Sequence, residues 1–216
     1  MVAVWPVKAA ITQSLYKAEA KARIMVANLD RLVWSAVLPM VSKAQLDHAR
    51  RLQAASGYLD LEMPDHALRA LAGIAHPETT PFEFHLLRGM ALRCAGRFSE
   101  ALVALTRARE ERPDDLDVLM GMAWCFKRTD QLPRAISTME EAYGAHPKVP
   151  VVLYNIACYY SLAGDKVQAL SWLGRALRMN ADLRKLIDDE SDFDSLRQDP
   201  DFQYITKLEL LTDRPE

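Results

Sequence analysis

At 216 residues, half of them hydrophobic and about a quarter charged, the chain is long enough to bury a substantial core and too apolar to be disordered throughout. Lysine and arginine total 27 against 29 aspartate and glutamate, a formal charge of -2, which leaves no basic footprint for nucleic acid. The three cysteines, Cys94, Cys125 and Cys158, form no CxxC or Cys/His ligand pattern and read as reduced, partly buried thiols of a cytoplasmic protein.

In chain order, residues 1–47 come first. "MVAVWPVKAAITQ" has only a short apolar run before Lys8 and no small-residue cleavage pattern, so a secretory signal is not expected. Ile24 to Val41 is apolar, but Asp30 and Arg31 split it and Pro39 stands near its end. The apolar stretch after the charged pair is too short to span a bilayer. It is expected to be a buried helix; the alternative is peripheral membrane association through residues 24–41.

From residue 48 the chain repeats itself. Ala67, Ala101, Ala135 and Ala169 are spaced 34 residues apart, and other columns obey the same shift. Four residues beyond each alanine stand Leu71, Leu105, Met139 and Leu173, and seven beyond stand Ile74, Ala108, Ala142 and Ala176. Twelve before each comes a small residue, Ala55, Gly89, Ala123 and Ala157; nine before come Tyr58, Leu92, Phe126 and Tyr160. Each unit thus carries two helical faces with apolar residues every three to four positions, separated by a short turn. Gly96, Asp130 and Gly164 share the turn column, Pro64 does similar work in the first unit, and Pro113 and Pro147 close two units in register. A large residue in the small columns would push helix axes apart, so these columns specify stacking.

The period and columns resemble the tetratricopeptide repeat family, with "LYNIACYYSLAGDKVQALSWLGRALRMNA" the best match. The resemblance implies an all-α fold: a right-handed solenoid of about four helical hairpins with helical caps at both ends. The units are 48–81, 82–115, 116–149 and 150–181, with an N-terminal cap or degenerate repeat at 1–47 and capping helices and tail at 182–216. Arg51, His85 and Arg88 depart from the family pattern, so the first two units are expected to pack less regularly than the last two. Shifting the frame back once, Val33, Val37 and Met40 fit the second-helix columns but Lys21 breaks the small column. Residues 8–42 therefore read as a degenerate capping hairpin.

After the last unit, Asp199 and Pro200 signal a final helix to about Leu211, with Phe193, Leu196, Phe202 and Ile205 covering the last repeat. Such a closing segment resembles that of bacterial tetratricopeptide proteins. The acidic cluster Asp188, Asp189, Glu190, Asp192 and Asp194 lacks calcium-loop spacing and reads as a solvated cap.

Catalytic signatures are not found: no P-loop, dinucleotide glycine fingerprint, GxSxG or HExxH, and the five histidines are scattered without ligand spacing. No cofactor, metal or enzymatic activity is expected. The family resemblance instead implies a concave groove lined by the first helix of each unit. Its candidate residues are Leu52, Gln53 and Ser56; Leu86, Leu87, Met90 and Arg93; Asp117, Met120, Trp124, Lys127 and Arg128; and Tyr154, Asn155, Cys158 and Leu162. Methionine adapts to varied shapes and aromatics anchor, which suits an apolar or amphipathic peptide, and Asn155 could pair with its backbone. The Lys/Asn clamp by which some family members hold chaperone carboxylates is absent from the matching positions. The expected function is a protein-binding adaptor; a chaperone for apolar secreted or membrane clients and a self-assembling scaffold or homo-oligomer are the alternatives.

Overall fold

The computed structural model describes residues 43–207. The capping hairpin expected over residues 8–42, the segment 24–41 and the continuation of the last helix to Leu211 lie outside the described residues. The chain divides into two compact units, residues 1–49 and 50–216. The described part of the first, residues 43–49, is helical, and the hairpins from Arg50 onward belong to the second.

Helices occur in pairs at the expected period. They are α1 (Lys43–Asp60) with α2 (Pro64–Ala72), α3 (Pro81–Cys94) with α4 (Phe98–Glu111), α5 (Leu116–Arg128) with α6 (Leu132–Ala145), and α7 (Pro150–Leu162) with α8 (Lys166–Met179). Two 3₁₀ segments, Ala181–Leu186 and Ser191–Leu196, and a short α9 (Pro200–Lys207) follow. Proline in the first turn sets the entry of α2, α3, α6 and α7, where its missing N–H removes no intrahelical bond. α5 and α8 begin instead at aspartate caps: Asp115 accepts from the Val118 N–H at 3.1 Å, and Asp165 from the Gln168 N–H at 3.0 Å.

The hairpin turns share one mechanism. The residue two past each first helix takes a left-handed backbone: Glu62 (φ 56°), Gly96 (74°), Asp130 (57°) and Gly164 (77°). The next N–H reaches back to a helix carbonyl in every unit: Met63 to Tyr58, Arg97 to Leu92, Gln131 to Phe126 and Asp165 to Tyr160, at 2.8–3.0 Å. That six-to-one bond satisfies a carbonyl the helix end would otherwise orphan. The turn column thus runs through all four units, with Glu62 in the first, rather than being served there by Pro64.

The second-helix alanines Ala67, Ala101 and Ala135 are fully buried and Ala169 is nearly so; Ala55, Ala123 and Ala157 of the first helices are fully buried as well. At Gly89 the fit is tighter still, because an added Cβ would sit 2.6 Å from the Cγ of buried Leu105. Side chains from neighbouring second helices lock the stacking between units: Arg109 donates to Glu141 at 2.6 Å, and the Arg175 guanidinium lies 4.1 Å from the Trp172 ring, which meets Tyr143 edge-on. In the column of large residues Tyr58 and Tyr160 are half-buried where Leu92 and Phe126 are buried, and in the first unit the off-pattern Arg51 lies across Gly73 at the end of α2. No helix among the described residues is long and apolar enough to cross a membrane.

Left-handed backbone costs a side chain roughly 1 kcal/mol more than glycine. Glu62→Gly and Asp130→Gly should each raise unfolding free energy by about 0.5–1 kcal/mol, and Gly96→Ala and Gly164→Ala should lower it by about 1 kcal/mol, in urea titrations.

Candidate functional site: the face of the first helices

On a helix, positions i, i+4 and i+7 share a face, and the 34-residue period aligns those faces between units. The resulting columns are Leu52, Leu86, Met120 and Tyr154; Ser56, Met90, Trp124 and Cys158; and Leu59, Arg93, Lys127 and Ser161. α5 meets its neighbours at Gly121, where a Cβ would lie 3.2 Å from the Cδ1 of Leu105 in α4. A Cβ there would lie 3.5 Å from both the Sδ and Cε of Met90, so Met90 lies across the neighbouring helix.

The face divides into two regions. Over the second and third units, Leu86, Leu87, Met90, Met120 and Trp124 are part-exposed and Arg128 is exposed; Leu52 is part-exposed in the first unit. The Arg128 guanidinium lies 5.3 Å from the Phe98 ring. Over the fourth unit the face is closed except at Leu162, the end of α7, which is 44% exposed. Tyr154 and Cys158 are fully buried and Asn155 is 8% exposed. The expected open lining is therefore covered at these three positions and also at Arg93 of the second unit, which is likewise 8% exposed, and Asn155 does not present its amide to an incoming backbone.

The cover over the fourth unit is the chain's own closing segment. Ser191–Leu196 packs on α7, with the fully buried Phe193 ring edge-on to Tyr154 at 5.6 Å and 5.5 Å from Phe202. Beside it Lys127 donates to Asp192 Oδ1 at 2.6 Å and also contacts Oδ2, with the lysine side chain 14% and the aspartate 6% exposed. Asp192 and Glu190 are thus buried, in contrast to the solvated cap expected of the acidic cluster; Asp188, Asp189 and Asp194 are exposed. Lys127 supplies countercharge to Asp192, the Glu190 carboxylate accepts from the Asp192 N–H at 3.4 Å, and Arg197 donates to the backbone carbonyls of Asp188 and Glu190 and fastens the loop. The ligand-capable atoms of Cys158, Glu190 and Asp192 lie within 4.8 Å of one another. Lys127 answers the charge of this group from within the protein.

Electrostatics at this end follow burial. The Tyr154 hydroxyl is pushed far above its ordinary range by burial, with Cys158, Glu190 and Asp192 adding to the shift, so it stays a neutral phenol. Burial pushes the Cys125 thiol up to about 11. Arg93 is 8% exposed, and burial lowers its pKa against the opposing pull of groups that include Asp117. Of the cysteines, Cys94 is exposed and the other two are buried.

Sequence reasoning placed Lys127 on this face but not its partner. Asp192 lies 65 residues away, in a segment without helical period, and no columnar signal links the two.

Residues 92–141 match the family described as tetratricopeptide repeat. No curated protein is similar enough in sequence to match. Solved structures of similar fold include MamA from Desulfovibrio magneticus RS-1, at 20% identity and TM-score 0.58 over 81% of this chain and 99% of that one. A double mutant of MamA RS-1 is 19% identical, with TM-score 0.62 over 81% and 98% of the two chains. A tetratricopeptide repeat protein from Parabacteroides merdae is 15% identical, with TM-score 0.58 over 78% and 68%.

Removing one member of a buried ion pair strands the other. Lys127→Met should cost about 3 kcal/mol of stability, and the double change Lys127→Met/Asp192→Leu should restore most of it, as read from denaturant midpoints. Ellman's reagent should label Cys94 rapidly in the native protein, and Cys125 and Cys158 only after unfolding.

Proposed function

We propose that this chain, a tetratricopeptide repeat protein, is a non-enzymatic adaptor that holds an apolar or amphipathic segment of another protein on the face of its first helices. The observation that carries the reading is the stretch over the second and third units that no other described residue covers. There Met90, Met120 and Trp124 stand part-exposed on adjacent helices while their counterparts in the fourth unit are buried. Thioethers adapt to the shape of what they meet, and an indole supplies a large anchor with little conformational freedom to lose.

Polar groups frame this strip and would set register rather than affinity. Lys127 lies 5.0 Å from the Trp124 ring and is engaged by Asp192, so the closing segment marks one end of the available surface. Arg128 stands exposed beyond it. The partner therefore lies over the units that precede the covered one, along Leu86, Leu87, Met90, Met120 and Trp124, with Leu52 at the far end.

Affinity capture with the wild type, Trp124→Ala and Met120→Glu tests this. Loss of an aromatic anchor costs on the order of 2 kcal/mol, so a partner bound by the wild type should be retained about thirtyfold less well. Circular dichroism must show both variants folded. Unchanged captured partners would remove the face from the function.

A further inference from the structure

A second surface lies away from that face, at the end of the array. Leu170, Ser171, Gly174, Leu177 and Arg178 of α8, Arg184 of the first 3₁₀ segment, and Tyr204 and Ile205 of α9 line a recess of about 460 Å³. Its size is that of a site for one or a few bulky side chains. Leu170, Leu177 and Ile205 give it an apolar lining, and of the α8 residues between Leu170 and Leu177 only the small Ser171 and Gly174 belong to it. Tyr204 is 63% exposed, and Met179 at the end of α8 is 43% exposed.

Charge decides what fits. Among the described residues, two guanidiniums and no carboxylate belong to the lining. Arg178 does not extend straight into solvent: a Cβ on Gly174 would lie 3.5 Å from one of its terminal nitrogens, so the guanidinium folds back along α8 over the recess. A cation held against an apolar floor favours a ligand with a carboxylate next to a bulky apolar side chain, because each group meets its complement without an unpaired buried charge.

We propose that this recess is a second docking site, for a short acidic segment of a protein partner that inserts a leucine- or phenylalanine-type side chain against Leu170, Leu177 and Ile205 and sets a carboxylate on Arg178. The site is independent of the face of the first helices. It would let one chain hold two partners at once.

The probes are a fluorescein-labelled peptide with leucine and phenylalanine between aspartates and its counterpart with every aspartate replaced by lysine, read by anisotropy on the full chain. The acidic peptide should bind and the basic one should not. Arg178→Glu should weaken binding at least about tenfold, as loss of a complementary charge does, and Gly174→Phe, which fills the recess from a part-exposed helix position with room for its Cβ, should abolish it. Trp124→Ala should leave this binding unchanged while impairing the adaptor face, so the two readings fail separately. The proposal is overturned if the acidic peptide shows no binding at about 1 mM, if both peptides bind alike, or if binding survives Arg178→Glu and Gly174→Phe in protein shown folded by circular dichroism. A concentration-dependent dimer in sedimentation that Gly174→Phe removes would also overturn it, assigning the recess to a second copy of the chain.

Discussion

The close approach of helices at small residues is the constraint on which the rest of this structure depends. Ala55, Gly89, Ala123 and Ala157 let one helix of each pair lie against its partner, and Ala67, Ala101, Ala135 and Ala169 do the same from the other side. A methyl group is as much as most of these contacts admit, and Gly89 faces the Leu105 side chain with less room than that. Because the columns recur every 34 residues, each pair meets its neighbour in the same way, and the outward faces of the first helices align as a consequence of packing alone. The aligned face is a by-product of the stacking rule.

The end of the array obeys a different rule. A stack of hairpins leaves its last apolar face bare, and here the chain covers it without another regular pair. Irregular 3₁₀ turns bring Phe193 onto Tyr154 and Asp192 onto Lys127. The aromatic contact supplies burial and the ion pair supplies direction, since a carboxylate taken out of water is tolerable only where its cation waits. The same closure takes Tyr154, Asn155 and Cys158 of the fourth unit away from the surface and leaves the part-exposed stretch of the face over the units before it.

Most of the fold was legible in the sequence because it is periodic. Alanines at constant intervals, prolines at helix entries and glycines at turns each report a local requirement, and repetition amplifies them. Glu62 was missed in the turn column because its residue type gives no sign of a left-handed backbone; only its spacing from Gly96 does. The candidate site was legible in part. Its positions could be aligned, but whether Tyr154, Asn155 and Cys158 face outward depends on a segment with no period of its own. For the same reason the acidic cluster read as solvated: burial of Asp192 is decided by Lys127, which the sequence sets far away.

That link also divides the chain into positions where a unit could be gained and positions where it could not. Its ammonium belongs to the third hairpin and its carboxylate to the closure, so the fourth hairpin is bracketed by a clasp that spans it. A duplicated hairpin entering upstream of Leu116 would leave the clasp intact and lengthen the open strip. One entering between Arg128 and Asp192 would part the two charges and leave the closure without its mooring. Growth of such an array is therefore directional, and the surface available to partners can be extended only from one end.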